Sequence, residues 1–254
     1  MLIDSHSHIY LEQFDDDRQE AIDNALNNGV QKIVLPNIDS LSIESMQKTK
    51  QTWPDIFEMA LGLHPTSVNL EYKSELTKIF TDFYRDDYVA IGEIGIDLYW
   101  DLTYCQQQKD AFDYQLSLAQ KHDLPVIIHS RNSFKEVIDV LKPHLNSGIK
   151  GVFHCFPGNY QEAKQVVDYG FYLGIGGVLT YKKSNMLEVV EQIPLEHIIL
   201  ETDSPYLSPV PKRGKRNEPA YVKYVADKIS EITGKDFEHI CNITSLNSKE
   251  LFKL

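Results

Sequence analysis

Short apolar runs rich in β-formers alternate along this chain with longer segments in which apolar side chains recur at helical spacing. Eight runs read as strands: Leu2–Ile3, Lys32–Pro36, Phe57–Leu63, Tyr88–Ile94, Pro125–His129, Lys150–His154, Phe171–Gly176 and His197–Glu201. The intervening pattern predicts helices over 16–28, 41–51, 72–84, 104–122, 133–144, 160–169, 183–192 and 218–233, with a last one over 236–251. Gly29, Gly148, Gly170 and Gly234 each sit just past a helical stretch, where a left-handed terminating residue is expected. Eight strand–helix units predict an α/β fold, a (β/α)8 or TIM barrel with a parallel sheet.

The length of 254 residues suits such a barrel, and no linker or shift of composition divides it, so one domain over 1–254 is expected. Hydrophobic residues make up 42% of the chain and charged ones 24%, enough apolar surface for a sizeable core and too much for a disordered chain. The start, Met1-Leu2-Ile3-Asp4-Ser5-His6, lacks the basic and apolar regions of a leader, and no apolar stretch approaches a membrane span. This predicts a cytoplasmic protein with no membrane association and no obligate protein partner. Cys105, Cys155 and Cys241 are too scattered for a disulfide framework or a paired-cysteine zinc site. A net charge of −12 argues against coating long nucleic acid through general attraction. Against that background Lys212-Arg213-Gly214-Lys215-Arg216 stands out as a basic loop after the last strand.

Chemistry enters at the strand ends. His6 and His8 are two apart on an extended run, so they face one side and can share an ion, with Asp4 on that face placed to orient them. Glu93, His129, His154 and Asp203 end other predicted strands, and the carboxyl ends of barrel strands converge on one face. A single histidine at such a place is often a core residue; six ligand-type residues at strand ends argue for one site. Four imidazoles and two carboxylates exceed the needs of one tetrahedral ion and can hold two divalent ions, with Glu93 as the bridge. Two ions would lower the pKa of a shared water toward neutrality, with Asp203 both ligating and taking its proton. Glu201, two residues before Asp203, points to the same side and is either part of the site or of the barrel lining. His64 ends the third strand at the same mouth, where it contacts an anionic substrate group or serves the structure. Arg131 and Arg213 are placed to clamp a phosphate, which the mouth of such barrels often receives. His122, His144, His197 and His239 lie elsewhere and receive no role.

These residues together resemble the TatD family of metal-dependent hydrolases and deoxyribonucleases, a branch of the amidohydrolase-like barrels. The resemblance runs the length of the chain. It is carried by Ile3-Asp4-Ser5-His6-Ser7-His8, Gly62-Leu63-His64-Pro65 and Gly92-Glu93-Ile94-Gly95-Ile96-Asp97. It continues through Ile128-His129-Ser130-Arg131, Phe153-His154-Cys155-Phe156, Glu201-Thr202-Asp203-Ser204-Pro205-Tyr206-Leu207 and Arg213-Gly214-Lys215-Arg216-Asn217-Glu218-Pro219. One departure is Pro157, where a small hydroxyl residue is expected before Gly158.

The resemblance implies two divalent cations held by His6, His8, Glu93, His129, His154 and Asp203, and a 3′–5′ exonuclease that cuts DNA with a hydroxide activated by both ions. Asp203 and Glu93 are the catalytic candidates, with Glu201 joining them if it serves the site and not the lining. Zinc suits the imidazoles, whereas magnesium and manganese suit phosphodiester chemistry. The acidic chain favours ends or short single strands over long duplexes. A second class is hydrolysis of ester or amide bonds, such as deacylation of D-aminoacyl-tRNA, in which the same nucleophile attacks a carbonyl. A third is a barrel that binds metal without catalysis, which metal content and thermal shift on ion addition would reveal.

Overall fold

The computed structural model describes residues 1–254. Its strands are β1 (Leu2–Asp4), β2 (Val30–Pro36), β3 (Phe57–Leu61), β4 (Ala90–Asp97), β5 (Val126–Arg131), β6 (Gly151–Phe153), β7 (Tyr172–Ile175) and β8 (Ile198–Leu200). They lie side by side in chain order, every neighbour parallel. The last edge meets the first just beyond the ladder: Ser5 N–H donates to Leu200 O at 2.9 Å and Asp203 N–H to His6 O at 2.9 Å. The result is the nearly closed (β/α)8 TIM barrel that the pattern predicts.

Around it run α1 (Arg18–Asn27), α2 (Ile43–Thr52), α3 (Tyr72–Phe80), α4 (Cys105–His122), α5 (Phe134–Leu141), α6 (Tyr160–Asp168), α7 (Met186–Gln192), α8 (Val222–Thr233) and α9 (Phe237–Phe252). Gly29, Gly148, Gly170 and Gly234 all adopt positive φ, between 66° and 85°, as chain-reversing residues should. Gly148, however, closes a 3-10 segment, Lys142–Ser147, and not α5. Pro143 is the reason α5 stops short of its expected end, because proline has no N–H to donate to the preceding turn. In the same way Pro219 opens a 3-10 turn, Pro219–Tyr221, so that α8 begins later than the expected 218. The expected helix over 183–192 begins only at Met186, whose N–H is accepted by Ser184 Oγ at 3.2 Å. No helix is long and apolar enough to cross a membrane.

Outward-facing strand residues such as Leu35, Ile128 and Leu200 pack against helical Ile22, Phe112 and Val225 in the larger core. Inside the barrel a smaller cluster joins Val34, Ala60, Ala90, Ile127, Val152 and Ile199 with Leu251 and Phe252 of α9, so the last helix plugs the lower end. Fully burying each of these larger side chains contributes about 1.5–3 kcal/mol.

Candidate metal centre

The upper interior follows from the lower by strand geometry. Side chains two apart on a strand share a face. Two residues past Ile127, Val152 and Ile199 come His129, His154 and Glu201, and Asp203 comes two further on. β4 breaks this rule: Ala90 and Glu93 are three apart, yet both face inward. The β4–β5 register slips between Ile91 and Ile94, and such an irregularity re-aims a side chain. Gly95 makes the slip feasible, with φ +138° and a hypothetical Cβ only 2.1 Å from His129 O.

Glu93 lies at the middle of the cluster. Its Oε2 is 3.0 Å from His6 Nε2 and 3.6 Å from His8 Nε2. Its Oε1 is 2.7 Å from His129 Nδ1, 3.0 Å from His154 Nε2 and 3.1 Å from His64 Nε2. Asp203 Oδ1 faces the first set, 3.7 Å from His6 Nε2 and 3.6 Å from His8 Nε2. One carboxylate oxygen therefore serves each half.

Hydrogen bonds on the far sides of the rings decide which nitrogens present lone pairs. Tyr10 Oη donates to Pro36 O at 2.6 Å and accepts from His8 Nδ1 at 3.0 Å, leaving His8 Nε2 as the acceptor. His129 Nε2 donates to Asp97 Oδ2 at 2.9 Å, so the neutral ring turns the Nδ1 lone pair toward Glu93. His64 is the reverse case. Its Nδ1 accepts from Thr66 N–H at 3.1 Å, so Nε2 carries the hydrogen and donates to Glu93 Oε1. The nitrogens of His6 and His8 approach to 3.2 Å, and those of His129 and His154 to 3.3 Å. Lone pairs meeting lone pairs and carboxylate oxygens at such distances need protons or cations between them. This nitrogen and oxygen set fits divalent ions with imidazole affinity, and three of its triads, His6–His8–Asp203, His6–Glu93–His154 and His64–Glu93–His129, each lie within 4.8 Å.

Electrostatics agree. Burial pushes the Glu93 carboxyl up, but the imidazoles of His154, His64, His6 and His129 hold it well below the usual range. Burial lowers His154, yet Glu93 and Glu201 lift it well above an ordinary histidine. Burial pushes Asp203 up to about 6 against the pull of His154 and His8. Burial, followed by His154, depresses His6, keeping that ring neutral.

The backbone is strained around the same mouth. Asn132, Cys155, Asp203 and Leu207 have φ between 40° and 55°, a region that costs non-glycine residues about 1–3 kcal/mol each. Above the centre opens a cleft of about 710 Å³, lined by Trp100, Arg131, Lys183 and Tyr206 among others.

The six expected ligands thus converge, and His64 lies deeper than a contact at the rim, bonded to Glu93 itself. Glu201 is fully buried, its Oε1 accepting from Cys155 N–H at 2.5 Å and lying 3.4 Å from His154 Nδ1. Arg131 lines the cleft with its guanidinium 3.8 Å above the Tyr99 ring. Arg213 does not line it; its guanidinium rests 4.1 Å over Tyr181. In the same basic loop Arg216 is bidentate to Asp17, both contacts at 2.7 Å. Asp4 bonds no imidazole. It accepts from Thr202 N–H at 2.8 Å, from Thr202 Oγ1 and from His6 N–H, and so ties the end of β1 to the turn after β8. Several cleft residues receive no role in the sequence reading, among them Asp97, Trp100 and Lys183. Asp97 lies four residues after Glu93, on the same strand face, and that spacing was the available signal; Lys183 sits in a loop with none.

Comparison with known proteins gives the same assignment. The family model for TatD related DNase matches residues 3–253. The chain is 38% identical to the uncharacterized metal-dependent hydrolase YabD of Bacillus subtilis, over 100% of both chains. It is 31% identical to the 3′-5′ ssDNA/RNA exonuclease TatD of Pantoea ananatis, over 95% of each. The crystal structure of YjjV, a TatD homologue from Escherichia coli, superposes with a TM-score of 0.92 at 29% identity, covering 100% of this chain and 98% of that one. A strand-end cluster of this composition, in a barrel of this topology, with relatives along its whole length, identifies the chain as a member of the TatD family of metal-dependent hydrolases.

Proposed function

We propose that this chain is a nuclease that removes nucleotides from the 3′ ends of single strands, as one catalytic domain over residues 1–254. It would use two divalent ions held by His6, His8, Glu93, His129, His154 and Asp203. The observation that carries the reading is Glu93, with Oε2 against one imidazole pair and Oε1 against the other. Two relatives named as 3′-5′ ssDNA/RNA exonucleases, 31% and 30% identical, support the substrate class.

Bound ions supply Lewis acidity toward the phosphoryl oxygens and acidify water. The side chains do the rest. Tyr10 and Asp97 fix the rings of His8 and His129 through their far nitrogens, and Glu201 faces the far nitrogen of His154. The Asp203 carboxylate, the most open of these acids at 14% side-chain exposure, accepts the proton of the attacking water. His64 Nε2–H donates to Glu93 Oε1 and holds that carboxylate in place beside the reacting centre. Arg131 and Lys183 line the cleft and hold the phosphate by charge; Arg213, outside the lining, reaches the strand only beyond it.

The test is a 5′-labelled single-stranded oligonucleotide incubated with protein loaded with magnesium, manganese or zinc. A ladder shortening from the 3′ end is expected, absent for Asp203→Ala. Intact DNA and RNA under every ion would sink the reading, and turnover of aminoacyl or ester substrates alone would move the activity to carbonyl chemistry. Nicking of closed circular DNA as fast as ends are shortened would overturn the preference for ends.

A further inference from the structure

The β4–α4 connection carries an aromatic pair that the centre itself does not use. Trp100 is 71% exposed and Tyr99 53%, unusual for side chains of this size, and Trp100 lines the cleft above the metal centre. The two rings stand edge to face, centroids 4.9 Å apart at 90°. Tyr99 has one face covered by the Arg131 guanidinium at 3.8 Å, which lies 5.3 Å from the centre of the Trp100 ring. The pair is also anchored. Asp97 Oδ1 accepts from Tyr99 N–H at 2.9 Å and from Trp100 N–H at 3.4 Å, while Asp97 Oδ2 holds His129. Leu98 N–H further donates to Arg131 O at 2.9 Å. One buried carboxylate therefore sets both a ring of the centre and the backbone that presents the aromatics.

We infer that Trp100 is a stacking platform for an unpaired nucleobase of the strand whose phosphate enters the cleft, with Arg131 beside it for the neighbouring phosphate. This rests on the nuclease reading above. An indole face is sequence-tolerant because every base has a π-face. A cation beside the ring suits a nucleotide, in which base and phosphate are neighbours. In a duplex each base face is already covered by its stacked neighbours, so the platform favours single strands, which an acidic chain without long-range attraction can still bind.

The test compares oligothymidylate with a fully abasic strand of equal length on the metal-loaded protein. The wild type should have a KM about tenfold lower for the base-bearing strand. Trp100→Ala should bring the two KM values within about twofold of each other, and Trp100→Phe should keep part of the difference. A wild-type KM indifferent to bases, or a ratio that survives Trp100→Ala, overturns the platform while leaving the nuclease standing. If neither strand is cut, the nuclease reading fails, and fluorescence decides the platform separately. The chain has two tryptophans, and Trp53 packs against Phe57 away from the cleft. Quenching by oligothymidylate but not by the abasic strand, lost in Trp100→Phe, supports the platform. Absence of quenching refutes it.

Discussion

At its lower end the barrel holds Val34, Ala60, Ala90, Ile127, Val152 and Ile199 under a plug of Leu251 and Phe252; two residues further along three of those strands it holds His129, His154 and Glu201. The lower layer has no unpaired polar atom. Every buried side-chain atom without a partner, His6 Nδ1, Ser130 Oγ, His154 Nδ1 and Glu201 Oε2, belongs to the upper end. Four of the six non-glycine residues with positive φ, Asn132, Cys155, Asp203 and Leu207, are there too, the other two, Asp123 and Lys253, being the residues that end α4 and α9. The same strands therefore supply stability at one end and strained, unsatisfied polar groups at the other, where catalysis is proposed. A barrel tolerates the second because the first over-determines it.

The sharpest break of this contrast is Glu93→Gln, which removes the only carboxylate facing both imidazole sets. Loss of several kcal/mol of charge stabilisation should lower hydrolysis by about a thousandfold or more, with the circular dichroism spectrum unchanged. Activity within tenfold of the wild type would end the bridging assignment. Next is the opposite end: Phe252→Ala should cost about 3–5 kcal/mol in urea denaturation. Ion affinity per folded molecule should stay as it was, and a parallel loss would show that the two ends are not separable.

Asp97→Asn sits between the extremes, because it touches His129 without belonging to the six. A residue bonded to the far nitrogen of a metal-binding histidine is worth about 10–100-fold in metal affinity or activity. Isothermal titration and kcat should both show that loss. No change in either would leave Asp97 with only the loop to hold.

The smallest effect belongs to the Asp17–Arg216 pair in the basic loop. Hydrogen bonds from Arg216 hold the Asp17 carboxyl below its ordinary range. A depressed carboxyl contributes stability above its unfolded pKa of about 4 and loses it as pH falls through the lower folded value. The Asp17 side chain is 40% exposed, so solvent screening limits the contribution to below about 1 kcal/mol. Asp17→Asn should lower the urea midpoint slightly at pH 6 and not at pH 2.5.

Much of this was legible in the chain because period two and period 3.6 are local. His129 and His154 follow apolar strands without interruption, and their inward direction needs only counting. Glu93 was legible as a candidate ligand but not as the product of a slipped register, since a bulge depends on the neighbouring strand. The role of Asp4 was misjudged for the same reason: its partner Thr202 is 198 residues away. Lys183 and Arg213 show the limit for loops, where side-chain direction follows from packing against rings such as Tyr181 and not from spacing. The plug by Leu251 and Phe252 could be read as helix but not as floor.

That floor bears on how the molecule is made. Translation delivers β1 well before α9, yet β1 meets β8 on its open edge, and Ser245 of α9 donates to Met1 O at 3.2 Å. The apolar lower layer stays uncovered on the ribosome until α9 has emerged. A nascent chain in which α9 has not yet formed would expose a ring of valine, alanine and isoleucine, an apolar surface of the kind that chaperones bind.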